Sequence, residues 1–297
     1  MYGLCSFSDR HIFAAACWKR VHRAHKFVCR IIDVLPDGSH ITQKINFKDM
    51  KNLISLKVVS FLVIYAFAIS ACTSNETSPE MNDESALVSD VVTSDAQASL
   101  TPDQILQGMK DGNERFVNNN LTQRDYKAQV QATSGGQYPE AVIISCIDSR
   151  VPVEQVFDKG VGDVFVARVA GNFVNEDILG STEFGTAVAG SKVVIVMGHS
   201  SCGAVKAAID DVEMGNITAM LSKIKPAVEM TSDYDGEQNV GNSEYVTEVV
   251  KNNVRHTIAD MRDNSSIIAD LERNGDVVIA GAFYDLETGR VTFLDQE

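Results

Sequence analysis

The sequence predicts an α/β fold: a mostly parallel β-sheet flanked by helices, with an antiparallel edge strand at the C-terminus. Two observations carry this. Short β-branched apolar runs at 141–145 (AVIIS), 164–169 (VFVARV), 193–197 (VVIVM) and 277–283 (VVIAGAF) lack polar alternation, as strands buried on both faces require. Helical patterns lie between them at 177–190, 203–213, 217–230 and 243–273, and strands alternating with helices imply a parallel sheet covered on both sides. Ahead of the first strand, TPDQILQGMKDGNERFVNN opens on a capping Thr101 and spaces Ile105, Met109 and Phe116 at helical intervals, which predicts an amphipathic helix. The last run, 291–294, follows the turn DLETG and is expected to pair antiparallel at an edge. No internal repeat of fixed period occurs.

The 297 residues also divide by composition. Ten Lys/Arg and four Asp/Glu precede Cys72, and 16 against 36 follow it. So acidic a downstream part disfavours nucleic acid and anionic membranes as partners. From Met50, Lys51 and Lys57 stand ahead of an uncharged apolar stretch from Val58 to Ala71, too short for a membrane span of about 20 residues. A basic start, a short apolar middle and small residues at its end fit a secretory signal peptide over 50–71. ISAC at 69–72 resembles the lipobox of bacterial lipoproteins, in which the cysteine, here Cys72, is acylated. These features place the chain in the cell envelope, on the periplasmic side, lipid-anchored to a membrane. Residues 1–49 then read as an upstream extension from a start codon assigned too early; Cys5, Cys17, Cys29, His11, His22 and His25 within it fit no zinc spacing. Residues 72–99, rich in Ser, Thr, Asn, Asp and Glu, read as the lipidated cysteine and a flexible tether, leaving 100–297 as the folded domain.

The chemistry-bearing residues sit at strand ends. Cys146 and Asp148 follow the first predicted strand, and MGHSSCGA places His199 and Cys202 after the third. The carboxyl edge of an open α/β sheet is where ligands bind. One Cys from one strand end, with a His and a Cys from another, form a ligand set that zinc accepts while keeping a fourth position open; thiolates exclude calcium and magnesium, which want oxygen. Side chains two apart on an extended segment point the same way, so Cys146, Asp148 and Arg150 could line one wall. Asp148 is then close enough to bind the metal or to accept a proton from its water. A bidentate clamp from Arg150 would hold it off the metal. Zinc lowers the pKa of such a water from about 16 toward about 7.

At these residues the sequence strongly resembles a known family. CIDSRVPVEQVFDKGVGDVFVARVAGN followed by MGHSSCGAVKAAI is similar to the β-class carbonic anhydrases, whose signature is Cys-x-Asp-x-Arg and, about fifty residues on, His-x-x-Cys. The resemblance spans roughly 100–297. It implies that Cys146, His199 and Cys202 bind one Zn2+ per chain, that Asp148 and Arg150 form the catalytic dyad, and that metal-bound hydroxide hydrates CO2 reversibly to bicarbonate and a proton. It suggests Gln137 as a donor to bicarbonate or the transition state, across a dimer interface, and Gly203 as the glycine that lets the backbone turn into a helix beside the metal and the substrate. It also implies a homodimer or homotetramer. Bicarbonate-regulated members carry Trp and Gly where this chain has Ile143 and Ser145, so the open, unregulated subtype is expected. Arg168 matches an arginine that helps bind the regulatory bicarbonate, although unregulated enzymes have it too, and Val169 stands where many relatives have Asn.

Two other readings compete: hydrolysis of carbon disulfide or carbonyl sulfide on the same ligands, and a non-catalytic zinc-binding lipoprotein with four protein ligands. A structural disulfide between Cys146 and Cys202 would leave His199, Asp148 and Arg150 unexplained. His256, on a predicted helix, reads as a surface or packing histidine, and Phe165 and Tyr284 as core aromatics of strands.

Overall fold

The computed structural model describes residues 87–294 together with three short strands nearer the N-terminus. The chain divides into two compact units, Met1–Asn82 and Asp83–Glu297. In the first unit, β1 (Ala14–Ala16), β2 (Arg30–Val34) and β3 (His40–Lys44) pair antiparallel in that order. The expected signal peptide at 50–71 and the acylated Cys72 lie outside the described residues, as does the rest of the expected extension over 1–49. Among the described residues no helix is long and apolar enough to cross a membrane.

In the second unit, packed structure starts before the expected boundary at residue 100. Helix α1 (Ser94–Ser99) is capped by Thr93, and its buried Gln97 donates to the carbonyls of Pro139 and Ala189 at 2.8 and 2.9 Å. The expected tether over 72–99 is therefore shorter at its C-terminal end. A polar side chain that satisfies two buried carbonyls anchors α1, and composition alone gives no sign of it. Helix α2 (Pro102–Val117) follows, with a capping box between Thr101 and Gln104 and with Ile105 and Met109 buried, as the spacing predicts. Helix α3 (Tyr126–Thr133), capped by Asp125, went unpredicted because it buries only Gln129 and carries no apolar stripe.

The sheet has the order β5-β4-β6-β7-β8, built from β4 (Ala141–Ser145), β5 (Val164–Arg168), β6 (Val193–His199), β7 (Val278–Tyr284) and β8 (Val291–Phe293). The first four are mutually parallel, and β8 runs antiparallel to β7. This is the predicted architecture, including the C-terminal edge strand. β4 and β6 are buried along their whole lengths, as unalternating apolar runs require. β5 departs from that expectation: its first four residues are half-buried and Arg168 is exposed, because it forms the sheet's other edge.

Helix α2 and the short α4 (Val153–Val156) pack on one face, where Ile143, Ile195 and Met197 meet Ile105, Met109 and Phe157. The opposite face takes α5 (Glu176–Glu183), which continues as a π-helical turn over Phe184–Val188, and beyond the small helices α6 (Gly203–Ile209), α7 (Gly215–Leu221) and α8 (Lys225–Glu229) the long α9 (Ser243–Asn264) and α10 (Ser266–Arg273). The predicted helix over 243–273 is thus two helices. Ser265, extended at φ −129°, ψ 100°, ends the first and caps the second by accepting from Ile268 N. The pattern at 217–230 also splits, with Pro226 near the start of α8. A β-carbon at Gly198 would come within 2.7 Å of Val250, so glycine there lets α9 lie close against β6.

This topology positions the site. From β4 the chain crosses to β5 on one side, and from β5 it returns past β4 to β6 on the other. The direction of winding reverses between β4 and β6, and the crevice beyond their carboxyl ends is the place where such sheets bind ligands.

Candidate metal centre

Cys146 leaves β4 one residue past its last paired position, Ser145, which lies opposite Met197 of β6. His199 is the last residue of β6, and Cys202 is the cap residue of α6. Two neighbouring parallel strands thus deliver all three side chains to one end of the sheet. Their sulfur and nitrogen atoms lie within 4.8 Å of one another, and all three residues are buried. Both cysteines are free thiols, so no disulfide joins them.

The imidazole is oriented by its backbone neighbour. His199 Nδ1 lies 2.9 Å from the carbonyl of Ser200, which can only accept, so Nδ1 carries the hydrogen and Nε2 presents a lone pair. That Nε2 is buried without a hydrogen-bond partner among the described residues, an arrangement costly for a polar atom unless a ligand takes it up. The sulfurs interact as well. A hydrogen bond from Cys202 draws the Cys146 thiol well below its usual range against the opposing effect of burial, and the N–H of Gly171, 3.4 Å from Cys146 Sγ, adds to this. The same contact with Cys146, followed by burial, pushes Cys202 far up. A cation binding both sulfurs as thiolates would displace their protons. Two thiolates and one imidazole suit zinc, and the residues present fit it.

Asp148 faces the same space, with Oδ2 3.8 Å from His199 Nε2. The chain bends after Cys146, and Val151 N donates to the Asp148 carbonyl at 3.1 Å, so Arg150 folds back onto Asp148. Its Nε and backbone N donate to Oδ1, both at 2.9 Å, and its Nη2 to Oδ2 at 2.7 Å. These bonds, the side-chain ones first, hold the Asp148 carboxyl far below the usual carboxylate range, which favours its ionised form. Both carboxylate oxygens are engaged by Arg150, and the cluster contains three residues. A closed site of four protein ligands would need a fourth.

Gly203 is the first residue of α6, and a β-carbon there would meet nothing within 4 Å. Its conformation is one that any residue adopts, so the turn into the helix does not itself demand glycine. Gln137 lies at the other end of the sheet, four residues before β4 begins, while Cys146 lies just past the end of that strand. Five strand residues at about 3.3 Å each separate them, so the two do not meet within one chain. His256 pairs with Asp260 one turn along α9, 3.6 Å away, as a helix-surface histidine would.

Three contributions were not assigned from the sequence. Arg168, at the end of β5, donates to the carbonyls of Cys146 and Asp148. Gly171, at φ +85° and in a place where a β-carbon would collide with Ile224, supplies the N–H to Cys146 Sγ. Asn253, fully buried on α9, donates to the Gly171 carbonyl at 2.7 Å. The one sequence signal for Asn253 is an amide in the apolar stripe of a helix, between Val249 and Val254.

The family model for carbonic anhydrase matches residues 141–291. Carbonic anhydrase 2 of Mycobacterium tuberculosis is 34% identical over 195 residues, covering 64% of this chain and 91% of that protein. The carbonic anhydrase of Mycolicibacterium smegmatis is 33% identical over 191 residues, covering 62% and 89%. Among solved structures, the β-carbonic anhydrase CafA of Aspergillus fumigatus aligns with a TM-score of 0.52 at 22% identity, over 65% of this chain and 90% of that one. A Coccomyxa β-carbonic anhydrase gives 0.52 at 23% identity, over 65% and 85%. These two structural likenesses speak for the fold.

The open space at Gly203 yields a test of its expected substrate role. Gly203→Ala should leave the denaturation midpoint and zinc content unchanged, since the added methyl meets no protein atom. If a substrate lies against that position, CO2 hydration falls while zinc is retained; an unchanged rate in stopped flow removes Gly203 from the substrate site.

Proposed function

The chain belongs to the carbonic anhydrase family, of the β class, and is an enzyme of that family; on this footing we propose that it catalyses zinc-dependent, reversible hydration of CO2 to bicarbonate and a proton. The observation that carries the reading is the convergence of Cys146, His199 and Cys202 beside a carboxylate that Arg150 keeps ionised and turned toward itself. These three residues would hold the zinc, and what the ion supplies when bound is acidification of water, from about 16 to about 7. Asp148, beside His199, would accept a hydrogen bond from water brought there and so orient it toward CO2. Arg150 prevents Asp148 from becoming a ligand itself, which is the open subtype expected from Ile143 and Ser145. The Ser200 carbonyl fixes the His199 ring and its tautomer, a partner of the kind that tunes ligand basicity.

The functional test is stopped-flow CO2 hydration with zinc determined on the same samples. The parent protein should hold about one zinc per chain and turn over CO2. Cys202→Ser should lose most of the metal and the activity together, and Asp148→Asn should keep zinc yet lose at least about 100-fold in kcat/KM. A zinc-loaded parent that leaves CO2 untouched defeats the reading.

The chain further acts, in this proposal, as a homodimer or homotetramer. Phe184 and Val188 are 54% and 71% exposed beside the half-buried edge strand β5, an apolar surface that association would cover. Assembly would also give Gln137 a route to a neighbouring chain's site. Light scattering should return a mass of two or four chains, and a monomer at micromolar concentration rules this out.

The leader read from residues 50–72 supports export and acylation at Cys72, with the enzyme held at a membrane on the periplasmic side. Labelled palmitate should enter the expressed protein and be lost in Cys72→Ser; equal labelling of both refutes the anchor.

A further inference from the structure

Arg168 ends the edge strand β5, and its register partner on β4 is Ser145, the residue before the first candidate ligand. The parallel ladder stops there with Val169 N donating to the Ser145 carbonyl at 3.1 Å. Beyond that point the chain carrying Cys146 and Asp148 leaves the sheet, and Arg168 follows it. Its Nε donates to the Cys146 carbonyl at 2.9 Å and its Nη2 to the Asp148 carbonyl at 2.6 Å. One planar group thus spans the segment from candidate metal ligand to catalytic carboxylate. Because the donors of a guanidinium are fixed relative to one another, the two carbonyls are fixed too.

We infer that Arg168 is a positioning residue for the reaction: it locks the loop 146–148 so that the Asp148 carboxylate stays beside His199 Nε2. The inference rests on the proposed reading of the site. Asp148 has two constraints, and they act at different places. Arg150 grips its carboxylate, but Arg150 stands on the same turn, and its side chain is 59% exposed, so its grip fixes the carboxylate to that turn and not the turn to the sheet. Arg168 stands on a different strand and ties the backbone beneath that unit to the sheet. Two of its nitrogens, Nε and Nη2, are committed to carbonyls of the loop, so this arginine serves the chain itself. A displacement of about 1 Å at a reacting group costs up to about 100-fold in rate, so a backbone tie of this kind has a kinetic signature.

The test uses the full chain, zinc-loaded, as parent, Arg168→Gln and Arg168→Lys. Zinc per chain, kcat and KM for CO2, and the visible spectrum of the cobalt(II)-substituted protein are measured on each. Arg168→Gln should fold, since Arg168 is exposed, and should retain zinc. Its kcat should fall about 10- to 100-fold, with KM within about twofold of the parent, and its cobalt bands should shift. Arg168→Lys should recover part of the rate, since a single ammonium reaches one carbonyl but cannot hold both in register. The inference is overturned if Arg168→Gln keeps the parent kcat per bound zinc, if its rate falls only in proportion to lost metal, or if only the bicarbonate dependence changes. Should Arg168→Gln fail to fold, Arg168→Lys decides by the same criteria. A parent that binds metal without hydrating CO2 defeats the reading of the site, and the cobalt spectra of the variants still judge the tie: identical bands sink it.

Discussion

The parallel register between β4 and β6 is the constraint on which the rest of this enzyme depends. Ser145 lies opposite Met197, so the residue just past one strand and the last residue of the other emerge side by side. A slip of one position would turn His199 to the other face of the sheet, because side chains alternate along a strand. The slip is resisted by burial. Both strands are fully enclosed between two helical layers, and every residue from Val193 to His199 is withdrawn from solvent. A site resting on such strands inherits their rigidity, which loops alone do not supply.

Around this frame the charge states are arranged by contact and not by exposure. Two adjacent sulfurs, an imidazole whose free nitrogen has no hydrogen-bond partner among the described residues, and a carboxylate held ionised by a guanidinium make a concentrated demand for a cation beside a preserved anion. Arg150 separates the two roles by engaging both oxygens of Asp148. The geometry keeps an ionised carboxylate next to the candidate metal ligands while both of its oxygens are held by Arg150.

Support for the centre comes from three directions. Ser200 holds the imidazole, Arg168 crosses from the edge strand to the loop carrying Cys146 and Asp148, and Asn253 reaches from α9 to Gly171, whose N–H meets the Cys146 sulfur. Each uses a backbone group as its handle. Such contacts set where a side chain sits without leaving a local trace in the residues they hold.

By itself the sequence determined the sheet's central strands, because continuous apolar runs at 141–145 and 193–197 have few other fates, and it singled out Cys146, His199 and Cys202, which the fold brings within 4.8 Å of one another. It also fixed the Asp148 and Arg150 pairing, which is local enough for spacing to reveal. Only the tertiary structure decided that β5 is an edge and half-exposed, that Ser265 divides a helix the apolar period would carry through, and that residues before 100 pack on the domain through Gln97. It likewise decided that Gln137 is remote from the centre within one chain, and that Arg168 and Asn253 hold the backbone around Cys146. The physical reason is common to these cases. Periodicity and spacing report what a residue does with its near neighbours, whereas strand order and helix packing choose which distant carbonyl, edge or sulfur it meets.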